Sequence, residues 1–230
     1  MAVIVNQKIE YRKILIAAPE VQAIPVFDCN EPLVEMKECY LTQATKAALR
    51  ISKSTLVRET VREKLQEAQQ LLPKGLQIRL YEGYRSLEQQ EIEFCEKLAI
   101  VQKDNPELSP EEAFIETTKL VSPIHNLDGS TNIPPHSTGA AVDIEIIDNQ
   151  GTLLDFGMEI ENWAVVTPSL CETGCKEISS EAQTNRDLLF QVMTRVGFVN
   201  YYTEWWHFSY GDKYWAFQLR QKNAIYGCYN

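Results

Sequence analysis

The chain has 230 residues, 44% of them hydrophobic and 23% charged, the mix of a well-cored globule and not of a disordered chain. Lys and Arg number 22 against 32 Asp and Glu, a formal charge of −10 that argues against a nucleic-acid surface or a polybasic membrane patch. No apolar run approaches the roughly 20 residues of a bilayer-spanning helix, and Ile14 to Ala18 is too short for the apolar part of a secretion signal, so the chain as written is expected in the cytoplasm, or in the periplasm if a longer precursor was trimmed.

Residues 1–45 read as an irregular segment wrapped on the remainder, with Pro19, Pro25 and Pro32 interrupting short apolar pieces. From Leu56 to Leu72 the residues Val57, Val61, Leu65, Ala68 and Leu72 fall on one helical stripe, which Pro73-Lys74-Gly75 stops. Leu76, Ile78 and Leu80 then alternate with Gln77, Arg79 and Tyr81 as a half-buried strand does. Ser86 can cap a helix from Leu87 to about Gln102, and Ser109-Pro110 opens another that ends before Pro123. Residues 122–135 read as loop. Ala140 to Ile147 is rich in β-branched residues and reads as a strand; residues 165–180 are loop again. A helix from Ser180 to Val196 ends at Gly197, and Phe198–Tyr201 and Trp205–Tyr210 read as two strands joined near Thr203-Glu204. No linker separates two cores, so residues 1–230 are expected to form one α+β domain, a small, mainly antiparallel sheet packed with helices.

Six cysteines stand at 29, 39, 95, 171, 175 and 228. Cys171 and Cys175 form a C-x3-C pair that could clip a metal or act in redox chemistry. No second Cys/His pair lies nearby, so two ordinary loop thiols are the simpler expectation.

Chemistry concentrates around two of the three histidines. His136 begins HSTGAAVD, seven residues ahead of Asp143, and His207 ends EWWH, three residues after Glu204. Alternation along the strand puts Val142, Ile144 and Ile146 on one face and Asp143 and Glu145 on the other. A carboxylate in so apolar a segment is costly unless paired or bound to a cation; a divalent metal shared with His136 would satisfy Asp143, as would a position at a solvated strand edge. Residues three apart on a flat strand face opposite sides, so Glu204 and His207 converge only if Glu204 lies in the turn before the strand. Two imidazoles and one carboxylate make a catalytic zinc set, because a position is left for water. Glu204 is then the candidate base, and Arg85, at a strand-to-helix turn, the candidate cation for a developing oxyanion unless it makes a surface salt bridge.

Taken together, LYEGYRS around Arg85, HSTGAAVDI around His136 and Asp143, NRDLLFQVMTRVGF from Asn185 and EWWHFSYGDKYWA from Glu204 resemble the D-alanyl-D-alanine dipeptidases of the VanX type, within the wider zinc D,D-peptidase group. The resemblance runs from about Leu56 to the end. It implies the zinc D,D-peptidase fold shared with hedgehog-like domains, one Zn2+ per chain on His136, Asp143 and His207, Glu204 as general base, and Arg85 stabilising the tetrahedral intermediate. It implies the free dipeptide D-Ala-D-Ala as substrate; on the charge and hydropathy above, no nucleic-acid or membrane partner is expected. Two positions depart from the pattern. Pro134 stands where the family commonly carries a serine that helps hold the substrate carboxylate. In the segment that supplies an acid to the substrate ammonium, Glu161 is the nearest equivalent. Neither departure touches the metal; both touch recognition. A D,D- or L,D-carboxypeptidase acting on longer muropeptides, and a non-catalytic zinc-binding module, remain alternatives. Closure of the site, by residues 122–135 and 165–180, is expected to separate dipeptidase from carboxypeptidase. His125 has no role in this reading.

Overall fold

A computed structural model describes residues 12–36 and 55–229. It is an α+β structure. Strands β1 (Leu33–Glu35) and β2 (Leu56–Arg58) form a two-stranded antiparallel sheet. Strands β3 (Leu76–Glu82), β4 (Ala141–Asp148), β5 (Val199–Asn200) and β6 (His207–Ser209) form a four-stranded sheet in the order β3-β4-β6-β5, every neighbouring pair antiparallel. The helices are α1 (Pro19–Gln22), α2 (Glu59–Leu71), α3 (Leu87–Asp104), α4 (Pro110–Thr117), α5 (Pro168–Cys171), α6 (Ser180–Arg195) and α7 (Lys213–Gln218). Among the described residues no helix is long and apolar enough to cross a membrane.

The elements follow local chemistry closely. Ser86 accepts from the Gln89 amide and so fixes the start of α3, directly after Arg85. Ser109 and Glu112 make a reciprocal capping box at α4, with Pro110 in its first turn. The stripe on α2 is buried through Val61, Leu65 and Ala68, against Leu189, Val192 and Met193 of α6 and the Val142, Ile144 and Ile146 face of β4. A smaller cluster joins Ile16 and Val21 to Val199, Tyr201 and Tyr214, seating the amino-terminal segment on the carboxy-terminal elements. That segment is tied there again by an isolated parallel bridge between Val26 and Ala224.

Four local expectations change. The helix expected from Leu56 begins at Glu59, because Leu56–Arg58 is drawn into pairing with β1. The last strand begins at His207 and not at Trp205: Asn200 Nδ2 donates to the carbonyls of Glu204 (3.1 Å), Trp205 (3.4 Å) and His207 (2.9 Å), which winds Glu204–Trp206 into a turn. The loop over 165–180 contains the one-turn helix α5. Within the irregular segment expected over 1–45, residues 12–36 carry α1 and β1; residues 1–11 and 37–45 lie outside the described residues.

Candidate metal centre and its cavity

The carrier of His136 is a single 3-10 turn, Pro135–Thr138, that ends at Gly139 with φ +71. A Cβ at Gly139 would overlap the Leu33 side chain, so both the turn and the close packing require glycine here. The turn is hydrogen-bonded to the Arg85 segment twice: Arg85 N–H donates to the His136 carbonyl at 3.2 Å, and His136 Nδ1 lies 2.8 Å from the Gly83 carbonyl. Since a carbonyl only accepts, Nδ1 carries the proton and Nε2 keeps a lone pair.

Sheet register supplies the rest. Asp143 on β4 pairs directly with His207 on β6 and with Glu82 on β3, so three adjacent strands set these side chains in one row. His207 Nδ1 is 3.1 Å from Asp143 Oδ1 and 3.2 Å from His136 Nε2; His136 Nε2 is 3.3 Å from the same oxygen. All three residues are buried. Such separations are the edges of a tetrahedron whose centre lies about 2.0 Å from each corner, the bond length of zinc to imidazole nitrogen or carboxylate oxygen. His207 Nδ1 faces both His136 Nε2 and the Asp143 carboxylate, a position satisfied by a proton that it donates or by a cation that all three share. The donor set therefore fits a divalent ion. Among the described residues it is the group of three that could hold one; Cys171 and Cys175 are free, buried thiols outside it.

The electrostatics of the group follow from the same contacts. Burial works against the charge of Asp143, yet the two imidazoles outweigh it and hold its carboxyl below the ordinary range. Burial also opposes a charge on His136, but Asp143 prevails and raises it; at His207 burial prevails and lowers it. Glu204 is pushed well above the usual carboxylate range, first by burial and then by the charge of Asp143. Its Oε2 lies 3.7 Å from His207 Nδ1, reached from the turn before β6 as the spacing required.

Arg85 is anchored, not free at a surface. Its Nε donates to Glu82 Oε1 at 2.7 Å, a second nitrogen pairs with Glu82 Oε2, and Nη1 reaches Gln90 Oε1 at 3.1 Å and Glu93 Oε2 at 2.8 Å. Burial disfavours the guanidinium charge, but Glu82 and Glu93 more than offset it, so the arginine stays charged. Sequence reading found Arg85 but missed Glu82, Gln90, Glu93 and Asn200. No periodicity marks them; their signal lies in register and in the helix turn that returns Glu93 to the arginine.

All five side chains line one cavity of about 460 Å³. Its walls include Gln89, Gln90, Ile92, Glu93 and Glu96 of α3, Ser122, Pro135, and Ile160, Trp163 and Ala164. Of the two loops expected to cap the site, 122–135 contributes Ser122 and Pro135, whereas the wall expected from 165–180 comes from Ile160–Ala164 just before it. Glu161 is exposed on the 3-10 turn Ile160–Asn162, outside the cavity lining although its neighbour Ile160 belongs to it. His125 is also exposed, bridged to Thr131 in the loop.

Residues 33–225 match the family model Peptidase_M15, D-ala-D-ala dipeptidase. A D-alanyl-D-alanine dipeptidase of Synechocystis sp. is 30% identical, the alignment covering 87% of this chain and 90% of that protein. One of Escherichia coli is 35% identical over 74 residues, which is 32% of this chain and 36% of that protein. Among solved structures, the zinc complex of a vancomycin-resistance D,D-pentapeptidase, VanY, aligns at a TM-score of 0.44 and 16% identity, covering 79% of each chain. On the match over 33–225 and the identity to the Synechocystis protein, this chain belongs to the D-Ala-D-Ala dipeptidase family of peptidases.

Proposed function

We propose that residues 1–230 act as one peptidase domain that hydrolyses D-Ala-D-Ala or a closely related small dipeptide, with one zinc ion held by His136 Nε2, Asp143 Oδ1 and His207 Nδ1. The observation that carries this reading is the convergence of those three atoms at 3.1–3.3 Å beside Glu204 and Arg85 in one cavity. When bound, the ion would lower the pKa of water to about 7 and polarise the peptide carbonyl.

The chain's own residues do the remainder. Glu204 lines the cavity and its burial raises its proton affinity, so it is placed to take a proton from the attacking water and return it to the leaving amine as the C–N bond breaks. Arg85 is kept charged by Glu82 and Glu93, and its place in the cavity wall suits it to receive the oxyanion that forms as water adds to the carbonyl carbon. Gln90 braces the same guanidinium and donates its amide to the Ser122 carbonyl at 2.7 Å, which couples α3 to the opposite loop. Glu161, expected from the family pattern to meet the substrate ammonium, would need to turn inward to do so. Glu93 and Glu96 already line the cavity and support recognition of an ammonium there.

The test is amine release from a panel of D,D-, L,D- and L,L-dipeptides and one acylated peptide, with and without chelator, alongside metal content. Chelator-sensitive hydrolysis of D-Ala-D-Ala with one zinc per chain is expected. Preference for the acylated peptide would shift the reading to a carboxypeptidase.

A further inference from the structure

Lys97 is buried on α3, and among the described residues its ammonium makes no salt bridge to a carboxylate. Its Nζ donates to the Ala164 carbonyl at 3.1 Å and stands 5.3 Å from the centre of the Trp163 ring. A buried lysine spent on one carbonyl and one indole is an expensive way to hold a loop, since burial itself disfavours the charge and lowers its pKa. The residues it grips belong to the cavity wall. Ile160 lies in the core and Trp163 and Val166 pack against it, while the backbone hydrogen bonds across the wall are local, from Asn162 N–H to Glu159, Trp163 N–H to Ile160, and Val165 and Val166 N–H to Asn162.

Lys97 itself lies outside the cavity lining, but Trp163 and Ala164, which it touches, belong to it, and so do Glu93 and Glu96 on the same helix. Glu93, bonded to Arg85, lies one turn before Lys97, about 6 Å along the helix axis. We propose that Lys97 is a positioning residue whose ammonium latches the Ile160–Ala164 wall onto α3 and so holds Trp163 and Ala164 in place in the cavity. Its effect on catalysis rests on the peptidase reading above; the latch itself does not.

Two readouts test it in the full chain. Hydrogen exchange of the backbone amides of 160–166 should rise in Lys97→Met and stay near wild type in Lys97→Arg, which can still donate to the carbonyl and stack on the indole. Unchanged exchange in a folded Lys97→Met protein overturns the latch whether or not any peptide is cleaved. In kinetics, loosening the wall in Lys97→Met should raise KM for D-Ala-D-Ala more than it lowers kcat, with Lys97→Arg restoring the wild-type values. Faster exchange with unaltered kinetics would overturn the positioning of the cavity wall. If the wild-type protein cleaves no D-Ala-D-Ala, the peptidase reading fails while the exchange result still decides the latch.

Discussion

The two faces of β4 are buried alike and do opposite things. On one, Val142, Ile144 and Ile146 are fully buried within the main core. On the other, Asp143 and Glu145 are 5% and 1% exposed, Asp143 against two imidazoles and Glu145 paired with Arg79 at 2.7 Å. The first face stabilises by removing apolar area from water; the second loses hydration that its partners return only in part. Glu145 shows that cost directly: burial raises its pKa even with Arg79 beside it. At adjacent positions on one strand, the chain thus places an element that holds the fold and one that the fold must hold.

Glu204→Gln should strike the polar face hardest. Turnover is expected to fall about 10²–10⁴-fold with metal content unchanged, by steady-state kinetics and elemental analysis. The same variant should be at least as heat-stable as wild type when stripped of metal. Because the folded pKa of Glu204 is raised, ionisation opposes folding above the ordinary carboxylate range, and removing the charge lifts that opposition. A lower melting temperature would mean that Glu204 stabilises the resting fold. His207→Ala should lose the metal as well as the activity; full zinc retention would remove His207 from the ligand set.

Arg85→Ala is expected to lower kcat more than it raises KM, since the guanidinium serves charge that develops during reaction. A change in KM alone would make it a substrate-binding residue. Across the strand, Ile144→Ala should cost about 2–5 kcal/mol by leaving a cavity, with catalysis intact well below the melting temperature. The smallest effect is chemical. Cys29 and Cys95 are exposed and should be alkylated first at pH 8, while Cys171, whose thiol burial pushes up to about 12, should resist until the chain unfolds. Peptide mass mapping after maleimide treatment reads this directly.

How much of this was legible in the sequence differs by element. The long helices and β3 and β4 were, because caps at Ser86 and Ser109, stop signals and periodic apolar residues are local and additive. Leu56–Arg58 was not, since its strand state comes from β1, a partner more than twenty residues away. The start of β6 was hidden for a similar reason, the three carbonyls gathered by Asn200. Asp143, Glu204 and His207 stood out as polar residues in apolar or aromatic surroundings, and His136 and Arg85 by the motifs around them. Glu82, Glu93 and Lys97 carry no such signal in the sequence; helix and sheet geometry turns them inward.

Residue order by itself determined the α+β class, the helix boundaries set by caps and breakers, and the identities able to form a metal and acid–base set, because these depend on interactions spanning a few residues. Only the tertiary structure decided that atoms of His136, Asp143 and His207 meet at 3.1–3.3 Å, that Arg85 is clamped by two carboxylates, and that Lys97 ties α3 to Ala164. Those facts follow from strand register and from helix-to-loop packing, which couple residues tens of positions apart and leave no periodic trace along the chain.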